Sequence, residues 1–391
     1  MTKHSNSQLM TNTATTLSPS ELGRYARHLA IPEFGKAGQE KLKAGRVLVI
    51  GSGGLGSPLL LYLAAAGVGN IGIVDFDVVD ESNLQRQVLF TVADIGKSKA
   101  ETAKEKLLAL NPHLNIRVFN TAFTKENAME IAKDYDIIAD GTDNFPTRYL
   151  TNDVCVIMGK VNVYASIFRF EGQVSVFNYL SENGERGPNY RDLFPHPPPP
   201  GMVPSCAEGG VLGVLPGIIG SLQANEVIKI ITGIGQPLSG RLFLFDAASF
   251  TTRNLKIRKN PSTKITELIN YEQFCGIIPK KEMENMVKAI SVKELKNWQE
   301  SAKDFQLIDV RESYEFDICN LEGELVPLSS IVNYKDKIST EKPVVIHCRS
   351  GARSANAIEY LQQQFGFDNL YNLEGGVLAW AKEIDASMPT Y

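Results

Sequence analysis

The 391-residue sequence predicts an α/β protein with two domains, a large, mostly parallel, doubly wound sheet followed by a second, smaller α/β domain. Three observations support this. An apolar strand pattern at 46–50 runs directly into the glycine-rich turn GSGGLG at 51–56 and then into an apolar helix. Strand and helix patterns alternate from there to residue 139. A separate strand, loop and helix pattern occurs at 344–364.

The predicted elements follow in a regular order. The first domain contains helix 21–30, strand 46–50, helix 59–66, strand 71–74, helix 97–110, strand 115–119, helix 125–133, strand 135–139 and further signals at 211–231 and 241–246. The glycine- and proline-bearing stretch 181–205 predicts a long loop or an extended crossover rather than a packed element. In the second domain, apolar runs predict strands at 307–310 and 344–347, and a helix follows at 354–364.

These patterns divide the chain into four segments. Residues 1–20 are rich in Ser, Thr and Asn and predict a disordered tail. The first domain occupies 21–270, and the second occupies 289–391. The irregular stretch 271–288 between them predicts a linker. The length suffices for two domains, each with its own core.

Composition excludes several kinds of partner. The formal net charge is −4, from 40 Lys and Arg against 44 Asp and Glu, so no broad basic field supports nucleic-acid binding. The polar N-terminus lacks the apolar segment of a signal peptide, and no stretch is suited to crossing a membrane, which predicts a cytoplasmic protein. The five cysteines form no Cys-x-x-Cys pair, so the sequence shows neither a disulfide framework nor the usual zinc spacing.

The turn GSGGLG predicts a nucleotide site in a Rossmann-like domain. Backbone amides in such a turn, together with the positive end of the following helix, bind phosphate groups. Asp75 ends the next strand, where a carboxylate accepts hydrogen bonds from ribose hydroxyls. The candidate phosphate-binding residues are Gly51, Gly53, Gly54 and Gly56.

Charged residues after this turn favour a nucleoside triphosphate. Arg86 and Lys99 supply positive charge that suits the phosphates of ATP. Asp143, in the motif DGTDN, is a hard oxygen ligand suited to Mg²⁺. The alternative function is a Rossmann NAD(P) oxidoreductase with a redox or phosphatase-like tail domain, because a glycine-rich turn alone does not distinguish the two. A non-catalytic binding module is a third interpretation.

Several stretches of the first domain resemble one enzyme family. They are RYARH (24–28), GSGGLG (51–56), DFDVVDESNLQRQ (75–87), GKSKA (96–100), DGTDN (140–144), FEGQVSVF (170–177) and GSLQANEVIK (220–229). This combination resembles the E1-like activating enzymes of the MoeB/ThiF family. The resemblance implies that the protein uses ATP and Mg²⁺ to adenylate the C-terminal glycine carboxylate of a small ubiquitin-like sulfur-carrier protein.

The same resemblance implies roles for individual residues. Those expected to contact ATP or its metal are Gly54, Asp75, Ser82, Asn83, Leu84, Gln85, Arg86, Lys99, Asp143 and Asn144. Arg27 matches the family's arginine that reaches into the neighbouring subunit's site, which implies a homodimer with two composite sites. We expect Arg27 and Arg86 to be catalytic.

Cys206 follows the proline-rich stretch within VPSCAEGG (203–210). Two adjacent glycines and the preceding loop suit a thiol that must approach a carbonyl carbon. Cys206 also matches the family's loop cysteine, which attacks an acyl group or exchanges disulfides. The alternative for a lone cysteine is a small, buried apolar residue.

The sequence departs from the resembled family at a structural zinc site. Many members carry two Cys-x-x-Cys pairs, whereas the corresponding positions here hold Asn189, Asp192, Thr263 and Thr266. Neither Asn nor Thr replaces a thiolate on zinc. We therefore expect no zinc, and we expect this region to be held by packing alone.

The motif HCRSGARS (347–354) lies between a strand and a helix of the second domain. A loop that opens onto a helix N-terminus points its backbone N–H groups at the cysteine sulfur. These amides and two arginines stabilise a negative terminal sulfur, as a persulfide requires. The candidate persulfide residues are Cys348, Arg349, Ser350, Gly351, Ala352 and Arg353.

The second domain resembles a rhodanese domain, also through IDVRESYEF (308–316) and NLEGGVLAW (372–380). Its loop is shorter than that of related phosphatases, which suits a single sulfur atom. Together the two resemblances imply that sulfur passes from Cys348 to the adenylated carrier to give a thiocarboxylate, with a cysteine desulfurase or thiosulfate as the donor. The sequence leaves open which pathway is supplied: molybdenum cofactor, thiamine, cysteine or thiolated tRNA.

Overall fold

A computed structural model describes residues 15–198, 210–275 and 287–390. In this part of the chain the backbone forms two compact units. The first comprises the described residues up to 197 together with 210–275, and the second comprises 287–390.

A sheet of parallel and antiparallel strands forms the centre of the first unit. Its strands are β1 Arg46–Ile50, β2 Asn70–Val74, β3 Asn115–Phe119, β4 Ile137–Asp140, β5 Val161–Phe168, β6 Glu171–Phe177, β7 Arg241–Asp246 and β8 Thr251–Lys256. In the described residues their order is β3-β2-β1-β4-β5-β6-β7-β8. Strands β1 to β5 pair in parallel, whereas β5 to β8 pair with antiparallel neighbours.

Helices cover both faces of this sheet. They are α1 Pro19–Arg24, α2 Ala26–Leu29, α3 Gly35–Ala44, α4 Gly56–Ala66, α5 Lys99–Leu110, α6 Ala128–Ala132, α7 Phe145–Ile157, α8 Tyr190–Leu193, α9 Leu215–Thr232 and α10 Tyr271–Phe274. Val47 and Val49 of β1 pack in one core with residues of α4, α5 and α9, while Leu48 and Ile50 pack in another with residues of α6 and α7. A strand that alternates between two cores is buried on both sides, which confirms the doubly wound prediction.

Sequence patterns located the parallel half of the sheet better than the antiparallel half. Strands β1, β3 and β7 have the predicted bounds. No element was predicted between 140 and 180, where the structure has α7, β5 and β6. Strands β5 and β6 are joined at Arg169, whose φ is +51°, and arginine is not a residue type that signals a turn.

The stretch 181–205, predicted to be a loop, contains the short helix α8. Tyr190 is buried, so this segment packs against the domain. The helix begins here because Asn189 and Asp192 form a capping box, in which each side chain accepts a backbone N–H of the other end. The prediction of an unpacked loop is therefore wrong for the part around Tyr190.

The second unit is built on a parallel sheet. Its elements are β9 Ala289–Ile290, α11 Val292–Glu300, β10 Gln306–Asp309, α12 Ser313–Ile318, β11 Glu324–Leu325, α13 Ile331–Tyr334, β12 Val344–His347, α14 Ala352–Phe365, β13 Leu370–Leu373 and α15 Gly376–Glu383. The strand order is β11-β10-β12-β13-β9. Val344 and Ile346 pack in one core and Val345 in another, so helices cover both faces. The predicted α/β fold of this domain is confirmed.

The structure extends the first unit beyond the predicted boundary at 270. Helix α10 belongs to that unit, where Tyr271 is buried and its hydroxyl donates to Oδ2 of Asp153 at 2.8 Å. Residues 276–286, which form most of the predicted linker 271–288, lie outside the described residues. Within the described ranges, no helix is both long enough and apolar enough to span a bilayer.

Candidate active sites

Close backbone packing shapes the turn between β1 and α4. The Gly51 N–H donates to the carbonyl of Val74 at 2.8 Å. A Cβ atom at Gly56 would lie 2.8 Å from the carbonyl carbon of Gly51 and closer still to its oxygen, so only glycine fits there. The turn leads directly into the N-terminus of α4, an arrangement that favours a bound phosphate.

Asp75 holds this turn in place. Its Oδ2 accepts hydrogen bonds from the backbone N–H and the hydroxyl of Ser52, both at 2.7 Å. Its Oδ1 accepts from the N–H of Asp77 at 2.9 Å, and the residue is buried. The ribose contact stays a prediction, and the structure adds a role for Asp75 in fixing the glycine turn.

The DGTDN loop lies directly against the glycine turn. The Gly141 N–H donates to the Ile50 carbonyl at 2.9 Å, which joins the carboxyl ends of β1 and β4. Asp140 is fully buried, and its Oδ1 accepts from the N–H and the hydroxyl of Thr142 at 3.0 and 2.6 Å. The structure thus brings exposed Asp143, the predicted metal ligand, to the same sheet edge as the glycine turn.

Asp140 is a buried acid that sequence reasoning did not single out. Burial raises the pKa of Asp140; Arg148 and the bonds from Thr142 oppose this shift, and the charge of Asp143 adds to it. Among the described residues, Oδ2 of Asp140 has no hydrogen-bond partner. Its backbone carbonyl accepts from Nε2 of Gln223 at 2.8 Å, which ties α9 to the end of β4.

The two predicted cations lie in different settings. Lys99 is buried, and its Nζ pairs with Oδ2 of Asp77 at 3.0 Å. Arg86 is half-buried and donates from Nη1 to the carbonyl of Ser82 at 3.1 Å. A Cβ atom at Gly54 would meet Cδ of Arg86 at 3.7 Å, so Arg86 lies beside the glycine turn.

The remaining predicted residues of the first unit are placed as follows. Ser82, Asn83, Leu84 and Gln85 lie in or just after the 3₁₀ turn Glu81–Asn83. Asn144 caps α7 by accepting the N–H of Thr147 at 3.0 Å. Arg27 is exposed on α2, and Cys206 lies outside the described residues. The geometry therefore brings the glycine turn and the DGTDN loop together, and the roles of all these residues, including Arg27 and Cys206, stay predictions.

Hydrogen bonds cross-link the region where the resembled family has zinc. Asp192 accepts from the N–H of Asn189 at 2.8 Å and from the N–H of Asn260 at 3.1 Å, which links α8 to the segment before Thr263. The expectation of packing alone is therefore wrong. Within the described residues no group of three or more His, Cys, Asp or Glu side chains could hold a metal, and the side chains at the former cysteine positions do not suit zinc. The absence of zinc stays a prediction.

Cys348 lies between β12 and α14 and is fully buried. Its Sγ accepts a hydrogen bond from the N–H of Gly351 at 3.2 Å and lies 3.5 Å from Oγ of Ser354. Arg349 is half-buried, whereas Ser350 and Ala352 are exposed. The loop therefore curls around the sulfur with at least one amide directed at it.

A second glycine turn, before α15, supports this loop from outside. The N–H of Val377 donates to the carbonyl of Cys348, and the N–H of Leu378 donates to the carbonyl of Arg349, both at 3.0 Å. A Cβ atom at Gly376 would lie 2.7 Å from the Arg349 oxygen and closer still to that of Cys348. In the sequence, the pair GG at 375–376 is only part of the resemblance in NLEGGVLAW, whereas in the structure this turn supports the loop around Cys348.

Arg353 does not stand alone beside the sulfur loop. Its two terminal nitrogens donate to the two carboxylate oxygens of Glu315, each at 2.7 Å, and Glu315 is buried. Just after β10, fully buried Arg311 forms a 2.6 Å ion pair with Asp309 and donates to the carbonyl of Cys319 at 2.7 Å. Two buried ion pairs thus frame the loop.

The other described cysteines are free thiols in buried positions. Burial raises the pKa of Cys155 well above its usual range, and it raises the pKa of Cys275 to about 11. Both thiols stay protonated at neutral pH, which suits a structural role rather than a nucleophilic one.

Comparisons with known proteins match both parts of the chain to known families. Residues 25–266 match the model of the ThiF family, and residues 291–383 match that of the rhodanese-like domain. The chain belongs to the ThiF family. Its full-length relatives include the probable adenylyltransferase/sulfurtransferase MoeZ of Mycobacterium tuberculosis, 50% identical over 97% of each chain. A sulfur carrier protein adenylyltransferase of Thermus thermophilus is 51% identical over 66% of this chain and 97% of its own.

Solved structures support the fold of this ThiF-family chain. Crystal structures of E. coli MccB superpose with a TM-score of 0.55 at 21% identity, covering 63% of this chain and 74% of MccB. PaaA gives a TM-score of 0.53 at 24% identity, covering 64% and 78%. With the family and the named relatives, the chain is an enzyme of the adenylyltransferase and sulfurtransferase class.

Proposed function

We propose that this enzyme adenylates the C-terminal glycine carboxylate of a ubiquitin-like sulfur-carrier protein and then delivers sulfur from a persulfide on Cys348, giving a thiocarboxylate. The observation that carries the proposal is the pairing in one chain of a glycine turn in contact with an acidic loop and a cysteine inside an amide-lined loop. A carboxylate cannot exchange oxygen for sulfur until it is activated, so each chemistry explains the other.

The first reaction uses the loops at the carboxyl ends of β1 and β4. A carboxylate oxygen of the carrier attacks the α-phosphorus of ATP, and the bond to pyrophosphate breaks. Amides of the glycine turn and Arg86 stabilise the charge that moves onto pyrophosphate, and Lys99 does so once it exchanges Asp77 for phosphate. Asp143 would hold Mg²⁺, because it is an exposed carboxylate close enough to Asp140 to raise the pKa of that acid, and Oδ2 of Asp140 has no hydrogen-bond partner among the described residues. Bound there, Mg²⁺ supplies charge neutralisation for the phosphates.

The second reaction uses Cys348. Its thiolate attacks the outer sulfur of a donor and becomes a persulfide, and the bond to that sulfur breaks to release sulfite from thiosulfate or the cysteine thiolate of a desulfurase. The terminal sulfur attacks the carbonyl carbon of the acyl-adenylate, AMP leaves, and an acyl disulfide forms. Cys206 then attacks Sγ of Cys348, which releases the carrier thiocarboxylate and leaves a disulfide for a cellular thiol to reduce. Because Cys348 is fully buried, the residues around it must move for these encounters.

Arg27 and the assembly belong to the same proposal. Arg27 is exposed on α2, and we infer that it completes the adenylation site of a second subunit in a homodimer. Cytoplasmic carriers for molybdenum cofactor, thiamine, cysteine or thiolated tRNA synthesis are the candidate substrates, and the molybdenum cofactor carrier is the first to test.

The proposal is tested by carrier-dependent exchange of labelled pyrophosphate into ATP, with each candidate carrier in turn. Intact-mass analysis then follows conversion of COO⁻ to COS⁻, a gain of about 16 Da. Cys348→Ser should keep the exchange and lose the mass gain, whereas Cys319→Ser, a matched buried thiol, should keep both. No exchange with any carrier would refute the adenylation half, and thiocarboxylate formation by Cys348→Ser would refute the sulfur half.

A further inference from the structure

The hydroxyl of Ser354 has more potential partners than protons. Ser354 is fully buried in the first turn of α14. Its Oγ lies 2.6 Å from Oδ1 of Asn372, 3.2 Å from the carbonyl of Gly351 and 3.5 Å from Sγ of Cys348. A hydroxyl donates one hydrogen bond and accepts two. Its proton therefore goes to the shortest contact, Asn372, and its lone pairs face the sulfur.

This order of donors fits a protonated Cys348. The thiol can donate to Oγ of Ser354, and Ser354 donates in turn to Oδ1 of Asn372. A negative Sγ would keep the bond from the Gly351 N–H, but in this arrangement it lacks the second donor that the Ser354 hydroxyl could supply. Sγ is negative twice in a sulfur-transfer cycle: when the thiolate attacks a donor, and when an acceptor removes the outer sulfur and the electron pair of the S–S bond returns to Sγ.

The side chain of Asn372 can support the hydrogen bonds to Ser354 and Cys348 in either direction. Its side-chain amide carries an acceptor, Oδ1, and a donor, Nδ2, which exchange places when the amide rotates. With Nδ2 donating to Ser354, the hydroxyl proton turns toward Sγ. The backbone of Asn372 is fixed in β13, where its N–H donates to the carbonyl of Lys288 at 2.8 Å, so only the side chain has to turn.

We propose that Asn372 is a positioning residue that acts through Ser354, in a hydrogen-bond relay that reverses with the charge on Cys348. The proposal rests on Cys348 being the sulfur-carrying residue. It adds a role to the NLEGGVLAW stretch, which brings Asn372 to the loop from a neighbouring strand.

The decisive variant is Asn372→Asp, which keeps the shape and the acceptor but has no donor to offer. In the full chain, the rate of sulfur transfer from thiosulfate to cyanide should fall about tenfold. This is the loss expected when one hydrogen bond to a charged group is removed. Thiolate absorbance at neutral pH, taken as the difference from the same protein carrying Cys348→Ser, should fall with it. Asn356→Asp, which adds the same charge at an exposed position of α14, should leave both unchanged.

A double-variant cycle separates the relay from simple charge repulsion. In a Ser354→Ala background the loss caused by Asn372→Asp should shrink from about tenfold to about twofold, because the relay no longer connects the two residues. An undiminished loss in that background would overturn the proposal.

A measurement on the unaltered protein guards against misfolded variants. In protein labelled with ¹⁵N-asparagine, the side-chain amide signal of Asn372 should shift as the pH is raised and the Cys348 thiolate absorbance appears, and it should not shift over the same range in Cys348→Ser. A signal that stays constant while the thiolate absorbance rises would overturn the relay. Neither test needs ATP or a carrier, so failure of carrier activation leaves the result interpretable.

Discussion

Replacing Gly376 with alanine should disable sulfur transfer without affecting nucleotide chemistry. A Cβ there would lie 2.7 Å from the carbonyl oxygen of Arg349 and closer to that of Cys348, against an ordinary C···O separation of about 3.3 Å or more. Both oxygens accept hydrogen bonds from α15, so they cannot turn away freely. The sulfur loop must shift by roughly 1 Å, a displacement that costs about 100-fold in rate when a reacting atom is misplaced.

The assay is thiosulfate-to-cyanide sulfur transfer by the full chain, with pyrophosphate exchange measured in parallel. Gly376→Ala should lower sulfur transfer about 100-fold and leave exchange unchanged. The matched control is Gly366→Ala. Gly366 also has a positive φ, +74° against +55° at Gly376, but a Cβ there would meet no atom within 4 Å. It therefore reproduces the backbone strain without the collision. Wild-type sulfur transfer by Gly376→Ala, or an equal loss in Gly366→Ala, would refute this reasoning.

Other parts of the structure give further predictions. Glu315→Ala leaves Arg353 without its carboxylate and should destabilise the protein by about 3 kcal/mol in chemical unfolding of the second unit. Burial lowers the pKa of His347 to about 4, so the unfolded chain takes up a proton on this histidine more readily than the native state does. The free energy of unfolding should therefore fall by up to about 3 kcal/mol between about pH 6.5 and 4. A loss of the same size in His347→Gln would contradict this. Asp75→Asn should raise the KM for ATP about tenfold in pyrophosphate exchange, since one acceptor of the turn becomes a donor. Elemental analysis should find no stoichiometric zinc. Asp192→Ala should lower the melting temperature by the same amount with and without a metal chelator, because it removes hydrogen bonds from Asn189 and Asn260.

Local sequence patterns predicted those parts of the fold whose causes are local. Strands β1 and β12 are short apolar runs buried on both faces, and each is followed by a loop with a distinctive composition. The GSGGLG turn is recognisable from its glycine spacing, and that spacing has a local cause, because a side chain at Gly56 would collide with the backbone of Gly51. Asp143 follows the parallel strand β4, as its position in the DGTDN motif indicated, and its role as a metal ligand stays a prediction.

The remaining features depend on contacts between distant residues. Glu315 meets Arg353 across 38 positions of sequence, and nothing in either local pattern indicates the pair. Gln223 reaches Asp140, and Asn372 reaches Ser354, only because the sheet order brings their elements together. Such contacts are invisible to periodicity, and they supply the hydrogen bonds that shape both sites.

The central claim is that sulfur held on Cys348 becomes the sulfur of the carrier's thiocarboxylate. The direct measurement loads Cys348 with heavy-isotope sulfur from labelled thiosulfate, removes the excess donor, and adds ATP, Mg²⁺ and the carrier that supports pyrophosphate exchange. Intact-mass analysis should find the heavy isotope in the carrier in a single turnover, with none transferred when ATP is left out or Cys348→Ser is used. A thiocarboxylate that carries only unlabelled sulfur, or a labelled persulfide that survives the turnover intact, would contradict the account.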